Sequence, residues 1–111
     1  MHHMKVQTKY YHLLKSGNKT IELRLFDEKR QKIKKGDEIV FSDLSKAEDC
    51  FTAVVKNLYH APHFEALCTM IQPCQAGFAS KEELLKVLAE FYTPAAQDEF
   101  GVVGIEIQKV S

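Results

Sequence analysis

Hydrophobic and polar positions alternate in some segments of the chain and recur at helical spacing in others. Alternation places side chains on opposite faces of a strand, whereas apolar positions three and four apart line one face of a helix. Strands are predicted at residues 4–7, 20–26, 38–42, 50–59 and 100–110. Helices are predicted at residues 9–16, around 62–68 and from residue 80 to just before residue 94. The predicted order is β-α-β-β-β-α-α-β.

This order predicts an α+β fold. Five or so short strands in 111 residues suggest a small mixed or largely antiparallel sheet, curled into a barrel with flanking helices. Regular βαβ alternation is missing, which argues against a doubly wound fold. Since no linker, repeat or low-complexity tract interrupts the chain, one domain over residues 1–111 is expected. Residues 1–3 could be a natural start or a cloning remnant, and they could be disordered.

Local signals set the expected ends of several elements. Thr8 is a candidate N-cap of the first helix, and Gly17 stands where a helix favours a left-handed terminating residue. Residues 43–49 are expected to form a polar loop. Ser80 and Glu83 have the spacing of a capping box, and Asp27 opens a polar turn or short helix. The apolar stripe of the last helix is expected in the core: Leu84, Val87, Leu88 and Phe91.

Composition excludes several classes of protein. The chain is 45% hydrophobic and 27% charged, which is ordinary for a globular domain. No apolar run approaches the roughly 20 residues that span a bilayer, and no signal-peptide pattern is present. Three cysteines without a Cys-x-x-Cys pair favour a reducing, cytoplasmic compartment. His60, His63, Cys68 and Cys74 lack zinc-site spacing, so neither a metal nor a cofactor is predicted.

Charge is divided unevenly along the chain. Residues 1–37 hold ten Lys/Arg and four Asp/Glu, whereas the remaining residues hold five and eleven, and the net charge is zero. The basic N-terminal third could face an anionic ligand such as a nucleic acid. Alternatively, the two parts could be solvated faces that attract each other within the fold. Charge alone leaves both interpretations open.

The strand at residues 20–26 carries the most distinctive polar pattern. Glu22 and Arg24 share its polar face with Thr20, and Lys19 stands at its entrance. Lys19 and Arg24 could hold a phosphate, Arg24 through two parallel hydrogen bonds. Glu22 could orient either cation or accept a hydrogen bond from a base amino group. The structural alternative is that Glu22 and Arg24 form an ion pair on a barrel face.

Secondary contacts are predicted from residues outside this strand. The basic run from Lys29 to Lys35, which includes Arg30, could follow a phosphate backbone, or it could be a solvated loop. His60 lies near the end of the long predicted strand, where it either reaches the cleft or remains on the surface. Thr20 completes the predicted ligand-binding set, which is Lys19, Thr20, Glu22, Arg24, Lys29, Arg30 and His60.

The order of these motifs resembles the ASCH domain family, named for activating signal cointegrator homology. The resemblance extends over nearly the whole chain and rests on three stretches: Gly17-x-Lys19-x-x-Glu22-x-Arg24, the turn Gly36-Asp37, and Phe100-Gly101-Val102-Val103-Gly104-Ile105. It implies a fold similar to the PUA domain, a β-barrel found in RNA-modifying enzymes. It also implies RNA or modified-nucleotide binding in a cleft lined by the first motif.

The resemblance also raises the possibility of catalysis. Some similar proteins hydrolyse the acetyl amide of N4-acetylcytidine with a lysine, a threonine three residues later and a distant glutamate, and other ASCH proteins are ribonucleases. Lys19 matches the lysine, but Glu22 replaces the threonine. The distant glutamate falls near Gly77, although Glu82 and Glu83 are close in sequence. The alternative to a binding protein is therefore a small hydrolase with Lys19 and Glu22 as catalytic residues.

A third possibility is a protein-interaction domain in which the motif is only structural. The leading hypothesis is an RNA- or nucleotide-binding module that does not associate with membranes. The sequence leaves its oligomeric state open, and a monomer is the simplest form compatible with it.

Overall fold

The computed structural model describes residues 1–110, in which a five-stranded mixed sheet curls into a half-barrel flanked by helices. The strands are β1 (His2–Val6), β2 (Ile21–Leu25), β3 (Glu38–Asp43), β4 (Lys46–Ala61) and β5 (Val102–Lys109). The helices are α1 (Thr8–Ser16), α2 (Glu28–Gln31), α3 (Phe64–Leu67), α4 (Lys81–Phe91) and α5 (Pro94–Phe100), with a 3-10 turn at Pro73–Ala76. The predicted α+β class, with its mixed sheet and flanking helices, is confirmed.

The strand order across the sheet is β1-β3-β4-β5-β2. Strand β1 runs parallel to β3, and the other neighbouring pairs are antiparallel. The first two strands of the chain therefore form the two edges of the sheet. The curl brings these edges together at a seam, where Arg24 of β2 donates from Nη2 to the carbonyl oxygen of Lys5 of β1 at 2.8 Å.

Two hydrophobic cores lie on opposite faces of the sheet. The first fills the concave face and includes Met4, Phe41 and Ile105, whereas the second lies beneath α3 and α4 and includes Leu23 and Leu84. No helix among residues 1–110 is long and apolar enough to cross a membrane. The first core also contains Tyr11 and Leu14 of α1, so α1 packs against the barrel interior, whereas α3 and α4 cover the outer face.

The polar residues of β2 point toward the barrel interior. Glu22 stands opposite Ile105 of β5, and Arg24 stands opposite Val103. Opposed residues of an antiparallel pair share a face, and both partners belong to the first core. Ile21 and Leu23 consequently pack on the outer face beneath the helices. The predicted alternation is correct, but its polar side is enclosed by the curl of the sheet.

The first strand and helix differ from the prediction at their starts. Strand β1 begins at His2, two residues before the predicted start at Met4. Thr8 is not the N-cap of α1, because Gln7 occupies that position and the Thr8 hydroxyl donates to Asp43 Oδ1 at 2.6 Å. Gly17 does end the helix in the left-handed conformation, at a φ of 86°, as predicted.

The connection between β3 and β4 is a tight turn. The polar loop predicted at residues 43–49 is wrong, because β3 continues to Asp43 and β4 begins at Lys46. Leu44 and Ser45 alone form the turn, and Ser45 donates through its backbone N–H to Asp43. The backbone N–H of Leu44 donates to the carbonyl of Val6, which places this turn beside the edge strand β1.

Helix α4 begins with a modified capping box. The Ser80 hydroxyl accepts from the backbone N–H of Glu83 as predicted, but the Glu83 carboxylate accepts from Ala79 instead of Ser80. The helix α5 is missing from the predicted order. Pro94 occupies the first turn of this helix, and the Thr93 hydroxyl caps it. Because proline lacks a backbone N–H, it suits the first turn of a helix. Pro94, which was predicted to end one helix, therefore also begins the next one.

Candidate functional site

Lys19, Glu22 and Arg24 form one ion-paired cluster at the seam. The Lys19 ammonium lies 2.9 Å from Glu22 Oε1, and Arg24 Nε donates to Glu22 Oε2 at 2.7 Å. The side chains of Lys19 and Glu22 are 5% and 6% exposed, and that of Arg24 is 16% exposed. Each carboxylate oxygen therefore has its own cation, and the carboxylate is held between two positive groups.

The backbone before β2 places Lys19 at the start of the strand. Its N–H donates to the carbonyl of Leu13 in α1, and the N–H of Thr20 donates to Gln75. The ammonium also lies 4.7 Å from the ring centroid of Tyr10, a distance that permits a cation–π contact. The lysine is thus held by its backbone, by Glu22 and by an aromatic ring.

Gly77 provides space for the Lys19 side chain. Its φ is +88°, and a Cβ added there would lie 3.2 Å from Lys19 Cδ and 3.3 Å from Leu13 Cδ1. A side chain at this position would meet both a strained backbone and a crowded neighbour. Gly77, near which a hydrolase's distant glutamate was expected to fall, is therefore a glycine packed on the lysine stem.

The two cations determine the protonation state of Glu22. Burial alone would raise the pKa of its carboxyl, but the charges of Lys19 and Arg24 and their hydrogen bonds lower it below the ordinary 4.5. Burial likewise acts to lower the pKa of Arg24, and its contact with Glu22 more than offsets this, so the net shift is upward. Glu22 is consequently a carboxylate, and Arg24 a cation, at neutral pH.

A pocket of about 210 Å³ opens beside this cluster. It lies between β1, β2 and α4 and is lined by Lys5, Val6, Gln7, Tyr10, Lys19, Glu22, Leu23, Arg24, Leu44, Phe78, Val87, Leu88, Phe91 and Tyr92. Three of the lining residues are cationic and one is anionic, which leaves a surplus of two positive charges. The pocket therefore combines a charged wall with aromatic surfaces, a lining suited to a partly apolar anionic ligand.

Three of the predicted site residues, Lys19, Glu22 and Arg24, meet in this pocket, and the remaining predicted residues lie outside its lining. Thr20 interacts with β5 through its carbonyl, which accepts from Ile107. His60 is exposed on β4, and its ring is T-shaped against the Phe26 ring at a centroid distance of 4.6 Å. His60 is therefore a surface histidine in contact with one neighbouring ring.

The basic run also lies apart from the pocket. Lys29 is exposed and borders a separate shallow depression with His2, Lys32 and Phe100. Arg30 pairs with Asp27 at 3.0 Å, while its backbone N–H donates to the same aspartate at the start of α2. Its guanidinium is thus used within its own helical turn.

The site also contains residues that the sequence analysis did not place there. Phe91 is 49% exposed at the pocket, so its predicted core position is wrong, and Leu44 is 58% exposed on the same rim. Phe91 is the last residue of α4, at the end of the apolar stripe. Among residues 1–110 no group of three or more His, Cys, Asp or Glu side chains could hold a metal ion.

Comparison with protein families gives one assignment. A family model described as the ASCH domain matches residues 4–111. None of the curated proteins compared with the chain matches it.

Solved structures show the same fold. The crystal structure of hypothetical protein PH0355 is 34% identical, with 97% of each chain covered and a TM-score of 0.85. The solution structure of protein PF0455 from Pyrococcus furiosus is 31% identical, covers 99% of this chain and 97% of the other, and has a TM-score of 0.77. Protein EF3133 from Enterococcus faecalis V583 shares the fold at 14% identity, with a TM-score of 0.63 over 92% of this chain and 70% of the other.

Proposed function

The chain belongs to the ASCH domain family, and from this premise we propose that it binds RNA or a modified nucleotide at the seam pocket. The observation that carries the proposal is the convergence of Lys19, Glu22 and Arg24 on one concave site. Such a site offers cations for a phosphate and a carboxylate for a base amino group. The ligand would enter between the two sheet edges and beneath α4.

The charge of the pocket supports an anionic ligand. Glu22 neutralises one of the two cations that it contacts, and Lys5 adds an exposed positive charge at the pocket. A phosphate could approach Lys5 and the outer side of Arg24 without breaking the buried ion pairs. Because the pairs are already formed, this approach requires little rearrangement of the protein.

The same geometry favours binding over hydrolysis. The pKa of Glu22 is lowered, and a carboxylate with a low pKa is a poor general acid and a weak general base at neutral pH. Among residues 1–110, only Glu22 places a carboxylate within 4.0 Å of the Lys19 ammonium. Of the glutamates near Gly77 in sequence, Glu83 accepts from the backbone N–H of Ala79 at the start of α4, and Glu82 is exposed.

The proposal can be tested by titration of a labelled single-stranded RNA of about ten nucleotides. Binding is followed by fluorescence anisotropy at a series of salt concentrations. Lys5→Met removes a rim charge and leaves the buried ion pairs in place. It should weaken binding and reduce the salt slope by about 0.7, the value for one phosphate contact on a single strand. Lys19→Met should weaken binding further, with circular dichroism confirming that the variant is folded.

Lys56→Met is the matched control, because Lys56 is exposed on β4 and does not line the pocket. Its affinity and salt slope should equal those of the wild type. Wild-type affinity weaker than about 0.1 mM, the upper range of non-specific binding, would contradict the proposal. Chromatography of the RNA and of N4-acetylcytidine after incubation completes the test. If the wild type converts either compound and Lys19→Met does not, the hydrolase alternative is favoured.

A further inference from the structure

The ring of Phe91 is exposed and lines the same pocket as Lys19, Glu22 and Arg24. An aromatic side chain of this size is normally buried, and 49% exposure leaves much of its surface in contact with water. It ends α4 and is followed by Tyr92, whose ring centroid is 6.3 Å away. Tyr92 packs inward against Phe64 at 5.6 Å, so its orientation is fixed by the core.

The rim also carries a second exposed apolar side chain. Leu44, in the turn between β3 and β4, is 58% exposed and lines the same pocket. Two exposed apolar groups, contributed by separate elements, thus border a cavity that has Lys19, Glu22 and Arg24 along its wall. An exposed apolar rim beside a charged wall is typical of a site that binds a ligand with a flat apolar face and a polar edge.

We propose that Phe91 is a specificity residue that stacks on one unpaired nucleobase, with Leu44 in contact with the same base. This inference rests on the proposed nucleic-acid function. A nucleobase fits the two surfaces because its faces are apolar and its edge carries hydrogen-bonding groups. The stacked base directs its edge toward Glu22, while the phosphate lies near Lys5 and Arg24. Base-paired nucleic acid cannot bind in this way, because its base faces are already stacked.

Three substitutions at Phe91 separate stacking from simple apolar contact, with the labelled single-stranded RNA as probe. Phe91→Ala should weaken binding by about 5- to 150-fold, the range found for loss of one base–aromatic stack. Phe91→Leu should weaken it similarly, and Phe91→Trp should retain the affinity. The chain has no tryptophan, so the indole introduced by Phe91→Trp is a unique reporter, and a stacked base should quench its fluorescence.

Met70→Ala is the matched control, because Met70 is also 49% exposed but does not line the pocket. It should bind the probe as the wild type does. A duplex of the same sequence, and a strand of the same length that has only abasic sites, should bind Phe91→Ala and wild type equally.

The outcomes distinguish this inference from the proposed function. Unchanged affinity in Phe91→Ala, or full affinity in Phe91→Leu, would overturn the stacking role. If Lys19→Met and Lys5→Met still weakened binding, the binding function itself would stand. Failure of the wild type to bind any single-stranded probe would overturn both. Concentration-dependent self-association that Phe91→Ala abolishes, combined with unchanged RNA affinity, would instead assign the exposed ring to a protein interface.

Discussion

At the scale of single residues, the structure depends on how the negative charge of the buried Glu22 carboxylate is balanced. A buried carboxylate is costly unless it is paired, and here each oxygen contacts one cation. Removal of the carboxylate would leave the positive groups of Lys19 and Arg24 enclosed without their shared partner. The cluster is therefore a structural element of the seam as well as the wall of the pocket.

The substitution Glu22→Gln should lower the free energy of unfolding at pH 7 by about 3–5 kcal/mol, as expected for a broken buried ion pair. The folded-state pKa of Glu22 lies below its ordinary value of 4.5, so its ionised form stabilises the fold above about pH 4.5. This contribution is lost as the pH falls through the folded-state pKa. Urea unfolding from pH 7 to pH 3 should therefore show that the difference in unfolding free energy between wild type and Glu22→Gln shrinks below about pH 4.5.

The glutamine variant isolates Glu22 from other acids. The pKa values of Asp37 and Asp43 are also lowered, but both carboxyls are present in wild type and variant alike. Glu48→Gln, at an exposed position of β4, should leave both the stability and its pH dependence unchanged. A wild-type advantage that stayed constant down to pH 3 would refute the assigned role.

At the scale of elements, the site depends on a glycine next to a short 3-10 turn. Gly77 ends the turn at Pro73–Ala76 and packs against the stem of Lys19, which precedes β2. The turn also binds the strand entrance directly, because Gln75 accepts from the N–H of Thr20. The position of the ammonium is consequently set by a segment far away in sequence.

Gly77→Ala and Gly17→Ala form a matched pair. Both glycines have positive φ values, +88° and +86°, so each alanine should cost about 1–2 kcal/mol in the left-handed conformation. Only the Cβ at Gly77 would crowd Lys19, since nothing lies within 4 Å of the one at Gly17. RNA affinity should fall about fivefold, equivalent to about 1 kcal/mol, in Gly77→Ala alone. Equal affinities in the two variants would show that the lysine stem adapts freely.

At the scale of the whole molecule, Arg24 links the two edges of the sheet. Its Nε binds Glu22 on its own strand, and its Nη2 binds the carbonyl of Lys5 on β1. Strands β1 and β2 have no ladder between them, because each pairs with a different neighbour. The guanidinium therefore connects the ends of the half-barrel at the mouth of the pocket.

Arg24→Lys should open this seam while preserving the charge, because an ammonium cannot reproduce the forked geometry that reaches both partners. The expected loss is about 1.5–3 kcal/mol of unfolding free energy, the range for a hydrogen bond to a charged group. Hydrogen exchange should become faster in β1 and β2 but not in β4. Arg30→Lys is the control, since Arg30 pairs with Asp27 within its own turn. If hydrogen exchange in β1 and β2 is as slow in Arg24→Lys as in the wild type, the role of Arg24 at the seam is refuted.

Much of the fold could be predicted because its signals are local. Alternation located β2, the left-handed glycine located the end of α1, and the serine cap located α4. The predictions failed where one signal has two meanings. Pro94 both follows α4 and opens α5, and the segment after β3, predicted as a polar loop, forms a two-residue turn at Leu44 and Ser45 and the start of β4.

The sequence by itself determined the element types, the family motif and the alternation that places Glu22 and Arg24 on one face of β2. Each of these depends on neighbouring residues and their intrinsic geometry. Only the tertiary structure decided that this face is enclosed, that β1 and β2 meet at a seam, and that Phe91 is left exposed beside it. The physical reason is that strand order and curl arise from contacts between residues distant in sequence, which local periodicity does not encode.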